Sequence, residues 1–159
     1  MKIDVICVGK IKEQYLKDAI GEYSKRLTKY CKLSILEVAD EKTDENASDA
    51  LNQMVKDKEA QRILKLIDEH ATVVSLEIEG KMYDSVEFSS LIEHITINGN
   101  SHIQFVIGGS LGLSKAVTDR ADYHISFSRM TFPHQLMRVI LLEQVYRAYR
   151  ISSNEPYHK

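Results

Sequence analysis

The chain has 159 residues, a length typical of one domain that buries a single core. Its 21 Lys and Arg residues nearly balance its 23 Asp and Glu residues, and the net charge is -2. That balance excludes a uniformly basic protein that binds nucleic acid over its whole surface. Hydrophobic residues make up 43% and charged residues 28%, as in folded rather than disordered proteins. We therefore expect a single domain over residues 1–159.

The cysteine and histidine residues argue against disulfide bonds and metal sites. Cys7 and Cys31 are too few for a disulfide framework, which favours a reducing compartment. Four of the histidines show no metal-ligand spacing: His70, His94, His102 and His124. The first apolar run is short and is not followed by a cleavage site, and no apolar run reaches the length of a membrane span. We expect a soluble cytoplasmic protein without a metal or a membrane anchor.

Short apolar runs rich in Ile and Val alternate with longer amphipathic stretches along the chain. The runs predict strands over residues 3–8, 33–38, 72–78, 103–107 and 123–127, the third closed by Gly80. The amphipathic stretches predict helices over about residues 13–30, 48–70, 85–97, 115–121 and 133–150. This alternation is typical of an α/β fold with a parallel sheet and helices on both faces.

In parallel α/β sheets, ligands bind where the strands end at their carboxyl termini. Two segments follow predicted strands there. Residues 108–114 are rich in glycine, but they match neither the P-loop nor the dinucleotide-binding pattern. Residues 127–134 form a loop that can offer backbone N–H and C=O groups to a ligand. We expect the binding site at this edge, although each segment alone is also compatible with a simple connecting turn.

Charge is segregated along the chain. Residues 1–32 hold eight basic and four acidic residues, residues 37–59 hold three and eight, and residues 129–159 hold five and two. A basic face built from both termini could bind a polyanion while the acidic segment lies elsewhere, although a mixed solvated surface explains the same counts.

The last helix is apolar on nearly every side, so we expect it either to cross the core or to be covered by a second subunit, with a symmetric dimer favoured. His134 and Arg138 share one face of this helix because they are four residues apart. In the polar tail that follows, Tyr157 can stack on a base and His158 can move protons near neutral pH.

Taken together, these segments resemble the RlmH (YbeA) family of SPOUT-class methyltransferases over essentially the whole chain. The resemblance rests on the opening strand that ends at Gly9, and on residues 107–109 with 112–114, 133–134 with 138–139, 143–148 and 154–158.

The resemblance implies an enzyme that uses S-adenosylmethionine to methylate N3 of a pseudouridine in 23S (large-subunit) ribosomal RNA within assembled ribosomes. It also implies a homodimer and a C-terminal trefoil knot, which a general rule against threading would not suggest. Carried over by position, the implied cofactor-binding residues are Leu76, Gly108, Phe127, Ser128, Arg129, Met130, Thr131 and Phe132.

The reaction requires loss of the N3 proton, which needs a base or a nearby cation. We expect Tyr157 and His158 to act across the dimer near His134 and Arg138 as catalytic residues, with no single base assigned. The residues expected to bind the RNA are Arg147, Arg150 and Asn154, together with the N-terminal lysines.

Two other functions are compatible with the same sequence. One is a dimeric RNA-binding or ribosome-binding factor with a non-catalytic cofactor slot. The other is a SPOUT methyltransferase that acts on transfer RNA.

Overall fold

Five parallel strands form the centre of the protein in a computed structural model that describes residues 1–159. The strands are β1 (Lys2–Val8), β2 (Lys32–Val38), β3 (Thr72–Met82), β4 (His102–Ile107) and β5 (Tyr123–Ser126). The helices are α1 (Gln14–Leu27), α2 (Asp49–Leu64), α3 (Ser85–Ile97), α4 (Lys115–Arg120) and α5 (His134–Ser152). The sheet order is β2-β1-β4-β3-β5, and the α/β prediction with a parallel sheet is confirmed.

Helices cover both faces of the sheet, as predicted. On β1, Ile3, Val5 and Cys7 join the larger core, which includes buried residues of α3 and α5, and Ile6 and Val8 join a smaller core with α2 and α4. This split follows from the alternation of side chains along a strand. Strand β1 is therefore hydrophobic on both sides, as a central strand should be.

Strand β3 is longer than the sequence pattern predicts, because Gly80 lies inside it rather than closing it. The pairing between β3 and β5 shifts register between Leu76 and Lys81, where the chain bulges. A Cβ placed on Gly80 would lie only 2.5 Å from the carbonyl carbon of Ile125. Glycine is needed here because the two backbones approach closely, so it allows the strand to continue.

Helix α2 is shorter than predicted, and its amino-terminal half does not pack on the core. Leu51 and Met54 are 52% and 55% exposed, so the predicted apolar face is buried only in the second half of the helix. After Leu64 the chain turns, and the backbone N–H of Asp68 donates to Gln104 Oε1 at 2.8 Å. That bond to β4 ends the helix before the predicted boundary.

Helix α5 crosses the larger core between α1 and α3. Leu141, Leu142 and Val145 are fully buried, which accounts for much of its apolar character within one chain. Leu136, Val139 and Ile140 remain half-buried on the opposite side. No helix in the protein is both long and apolar enough to span a membrane.

Candidate active site

A cleft of about 720 Å³ lies where β3, β4 and β5 end at their carboxyl termini. Its walls come from three segments: residues 76–79 of β3, residues 107–113 after β4, and residues 127–134 between β5 and α5. This is the edge at which sheet topology predicts a ligand site.

Seven of the eight predicted cofactor-binding residues line this cleft: Leu76, Gly108, Phe127, Ser128, Met130, Thr131 and Phe132. Arg129 is the exception. It is exposed to solvent and does not line the cleft. The turn around Arg129 brings its neighbours, but not Arg129 itself, to the cleft, and the cofactor-binding role of Arg129 stays a prediction.

The glycine-rich segment forms a tight turn whose backbone makes one wall. Gly112 has a φ of +81°, and its N–H donates to the carbonyl oxygen of Gly109 at 3.1 Å. A Cβ on Gly108 would lie 2.7 Å from the carbonyl carbon of Gly112. With no side chains in the way, the backbone polar groups of this turn are available to a ligand.

The loop between β5 and α5 is held in place by its own serines and by the core. Ser126 Oγ donates to the carbonyl oxygen of Ser128 at 3.0 Å, and Ser128 Oγ accepts from the N–H of Met130 at 2.9 Å. The ring of Phe127 meets that of Phe88 edge to face with 6.0 Å between centroids. These contacts preorganise the third wall of the cleft.

His134 is the first residue of α5 and lines the cleft at its floor. Burial lowers the pKa of His134 below its usual 6.5, and the nearby positive charge of Arg138 lowers it further, while Asp40 acts in the opposite direction. The imidazole is therefore neutral near pH 7 and able to accept a proton.

Arg138 does not line the cleft within one chain, and its catalytic role stays a prediction. Its side chain is only 1% exposed. The guanidinium donates to Glu37 Oε1 at 2.8 Å and to the carbonyl oxygens of Val8 and Gly9 at 2.8 and 2.7 Å. Arg138 thus ties α5 to the carboxyl ends of β1 and β2.

The tail packs against the other end of α5. Tyr157 donates from its hydroxyl to Glu143 Oε1 at 3.2 Å, and the Arg147 guanidinium lies 4.7 Å from the centroid of the Tyr157 ring. His158 Nδ1 is 3.4 Å from Arg147 Nη1. Glu143 is nine residues after His134, about 13 Å along a helix. Within one chain, Tyr157 and His158 do not line the cleft.

The residues predicted to bind RNA lie at this same end. Arg147 pairs with Glu143, and Arg150 pairs with Glu155 and donates to the carbonyl oxygen of Pro156. Asn154 is exposed and adopts a φ of +52° in the turn that starts the tail.

Sequence reasoning missed a second, polar cavity of about 320 Å³ that adjoins the cleft. It shares Gly109, Ser110 and His134 with the cleft, and its other walls come from residues 40–44 and from Glu59. The acidic run over residues 37–59 is visible in the sequence, but only the fold brings it to His134.

Glu77 is a further wall of the cleft that the sequence motifs do not indicate. Its carboxylate lies 2.7 Å from His124 Nδ1. In the whole chain, no cluster of three or more His, Cys, Asp or Glu side chains has a geometry that could hold a metal ion.

The sequence matches a family model described as predicted SPOUT methyltransferase over residues 1–158. The chain belongs to the SPOUT methyltransferase family. The resemblance to this family that the sequence motifs indicate is confirmed, and the chain is a methyltransferase. SPOUT methyltransferases use S-adenosylmethionine.

Curated relatives of this SPOUT methyltransferase match it from end to end. It is 62% identical over 159 residues to a protein of Bifidobacterium adolescentis named ribosomal RNA large subunit methyltransferase H. Proteins with the same name from Clostridium acetobutylicum and Clostridium botulinum are 60% and 62% identical. In each case 100% of both chains is covered.

Solved structures share the fold at low identity. A probable methyltransferase from Bordetella pertussis has a TM-score of 0.56 and 14% identity, covering 92% of this chain and 95% of that one. A putative methyltransferase from Legionella pneumophila, in complex with the bound cofactor SAM, has a TM-score of 0.52 and 10% identity over 94% of this chain and 66% of that one.

Proposed function

We propose that this protein transfers a methyl group from S-adenosylmethionine to N3 of a pseudouridine in 23S ribosomal RNA within assembled ribosomes, in the cytoplasm. The observation that carries the proposal is the end-to-end match, at 60% to 62% identity, to proteins named ribosomal RNA large subunit methyltransferase H. The cleft at the carboxyl edge of the sheet supports it.

The residues that line the cleft suit S-adenosylmethionine chemically. Leu76, Phe127 and Phe132 offer apolar walls for the flat base, and the turns around Gly108 and Ser128 offer backbone hydrogen-bonding groups for its edge. Each such bond contributes roughly 0.5–1.5 kcal/mol net. When bound, S-adenosylmethionine supplies a methyl group already activated on a positive sulfur.

The protein has to align the acceptor nitrogen with that methyl group and remove one proton. His134 is suited to take the N3 proton, because it lines the cleft and burial favours its neutral form. The N3 lone pair then forms the new bond to carbon, the carbon–sulfur bond breaks, and its electrons neutralise the sulfur. The proton leaves His134 for solvent.

A homodimer would complete this site. In one chain, His134 and the tail lie at opposite ends of α5, so Tyr157 and His158 can join a cleft only if it belongs to a second copy. The half-buried apolar stripe on α5 formed by Leu136, Val139 and Ile140 supports such an interface. Arg147, Arg150, Asn154 and the basic residues 1–32 then contact the RNA around the target base.

The trefoil knot is part of the same proposal. The end of β3 pairs with β5, and Gly80 lies against the backbone of Ile125. After β5 the chain continues through residues 127–133 into α5. Ser85 at the start of α3 also donates to Gln144 of α5 at 2.8 Å. A crystal structure traced continuously through residues 76–82 and 127–134 tests whether the chain threads there.

The decisive experiment uses ribosomes from a strain that lacks this gene. The protein is incubated with them and with labelled S-adenosylmethionine, and mass spectrometry identifies the methylated nucleoside. We expect 3-methylpseudouridine in large-subunit RNA. Cofactor binding by calorimetry without transfer to ribosomes, but with transfer to transfer RNA, would contradict the proposed substrate. Absence of both binding and transfer would favour a non-catalytic RNA-binding factor.

A further inference from the structure

The polar cavity beside the cleft brings an acidic loop to the residue proposed to take the proton. Residues 40–44, which follow β2, form one side of this cavity, and His134 belongs to both the cavity and the cleft. The acidic loop therefore meets the cleft at His134.

Two residues of α2, three positions apart, hold this acidic loop. Glu59 is only 4% exposed, and its Oε1 accepts from the backbone N–H of Glu41 at 3.1 Å. Arg62 donates to the carbonyl oxygen of Ala39 at 2.8 Å and pairs with the Glu41 carboxylate. Since residues 39 and 41 are both bonded to α2, the backbone of Asp40 between them is fixed.

Asp40 and His134 both lie beside Gly9, which follows the carboxyl end of β1. The point at which a Cβ on Gly9 would stand lies 3.7 Å from His134 Nε2 and 3.8 Å from Asp40 Cγ. Gly9 has a φ of +80°, which favours glycine, so no side chain separates the two groups. The Asp40 carboxylate and the Nε2 edge of the imidazole therefore face the same small gap at Gly9, with no direct hydrogen bond or ion pair between them.

We propose that Asp40 assists methyl transfer from across the gap at Gly9, where its carboxylate stabilises the positive charge that the imidazole of His134 acquires. The proposal rests on the proposed function, since it assumes that His134 takes the N3 proton, here on Nδ1. The N3–H bond breaks, the Nδ1–H bond forms, and the Asp40 carboxylate stays ionised while it stabilises the charged ring through space.

Other charged groups near His134 determine how strongly Asp40 shifts the pKa of His134. Arg138 opposes a positive ring from the same helix, but it is paired with Glu37. Glu59 of α2 and Glu41, Lys42 and Asp44 of the acidic loop line the same cavity. Because Asp40 is exposed to solvent, its influence is screened, and the expected shift is about half a pH unit at low salt.

The test compares Asp40→Asn with Asp44→Asn, which removes an equal charge from another exposed position of the same cavity. The imidazole resonance of His134, assigned by its loss in His134→Ala, is titrated by NMR in the free protein. We expect Asp40→Asn to lower the pKa of His134 by about half a unit and Asp44→Asn to change it far less. Equal shifts in the two variants would overturn the proposal.

The pH profile of methyl transfer tests the catalytic part. We expect Asp40→Asn to lower kcat by about tenfold or more, to move the acidic limb of kcat/KM to lower pH, and to leave S-adenosylmethionine affinity unchanged. Asp40→Glu should recover part of the rate. An unchanged profile in Asp40→Asn, with His134→Ala inactive, would overturn the role of Asp40 alone. Full activity of His134→Ala would instead overturn the proposed proton acceptor.

Discussion

The two ends of α5 are held by different kinds of contact. At the amino end, Arg138 is buried and bonded to the carbonyl oxygens of Val8 and Gly9 and to Glu37. At the carboxyl end, the tail is held by partly exposed ion pairs and by rings, with the Tyr157 and Tyr146 centroids 5.0 Å apart. The first arrangement is shielded from solvent and the second is open to it.

We expect this contrast to separate cofactor binding from turnover. The cleft is preorganised inside a single chain by buried contacts, which resist salt and moderate changes of pH. The tail is attached by contacts that each contribute little, so it can adjust to RNA or to a second copy. We expect changes at the two ends to affect different measurements.

Arg138→Met should produce the largest loss of stability. Removing a buried guanidinium leaves the Glu37 carboxylate and two backbone carbonyls without their donor, which costs about 3–5 kcal/mol. Urea denaturation followed by circular dichroism measures the free energy of unfolding. Arg62→Met, which breaks a more exposed pair with Glu41, is the control and should cost about 1 kcal/mol. Equal costs in the two variants would remove the contrast between buried and exposed contacts.

Deletion of residues 154–159 should abolish turnover while leaving cofactor binding mostly intact. The deletion removes Tyr157 and His158 but none of the residues that line the cleft. We expect methylation of ribosomes to fall by about 100-fold or more, and calorimetry with S-adenosylmethionine to give nearly the same affinity. A chain that lacks only Lys159 is the matched control. Wild-type turnover by the longer deletion would refute the role of the tail.

Gly108→Ala should weaken cofactor binding by about tenfold or more. The new methyl group would lie 2.7 Å from the Gly112 backbone, so the turn that forms the cleft wall has to shift, and hydrogen bonds to the ligand are lost. Calorimetry measures the affinity. Gly21→Ala is the control, since nothing lies within 4 Å of its Cβ position in α1, and it should stabilise the fold by about 0.5–1 kcal/mol. Unchanged affinity in Gly108→Ala would mean that the turn is not part of the cofactor site.

Acid should release the tail before it affects the cleft. Hydrogen bonds from Lys29 and Tyr30 lower the pKa of Glu155 below its usual 4.5. A carboxyl group with a lowered pKa in the folded state stabilises that state above its usual pKa, and the contribution is lost as the pH falls through the lowered value. NMR signals of residues 155–158 should therefore sharpen below about pH 4.5, while core signals persist. If the core signals of the folded protein disappeared at the same pH at which the tail signals sharpen, the difference between the two ends would be contradicted.

Much of the architecture was predictable from local sequence patterns. Nearly continuous apolar runs such as Ile103–Ile107 indicate buried strands. The glycines that follow this run predict the edge of the sheet that holds the cleft. The boundaries that were wrong depend on distant residues. Gly80 continues β3 because Ile125 lies beside it, and α2 ends early because Gln104 binds the backbone of Asp68.

The site was predictable only in part. Backbone-lined positions such as Gly108 and Ser128 follow from the motifs, and they line the cleft. The buried position of Arg138 does not follow, because helical spacing tells which face a residue occupies but not what covers that face. The acidic loop and His134 line one cavity because β1 and β2 are neighbours, which periodicity does not reveal.

The length of α5 sets the distance between His134 and the tail. Each helical residue advances the chain by about 1.5 Å and turns it by about 100°. One extra residue between Val139 and Glu143 would leave His134 in place but rotate Glu143 and Arg147 away from their side of the helix, and with them the tail. An insertion of seven residues would nearly restore that direction while moving the tail about 10 Å further away. We therefore expect this stretch to tolerate almost no change of length.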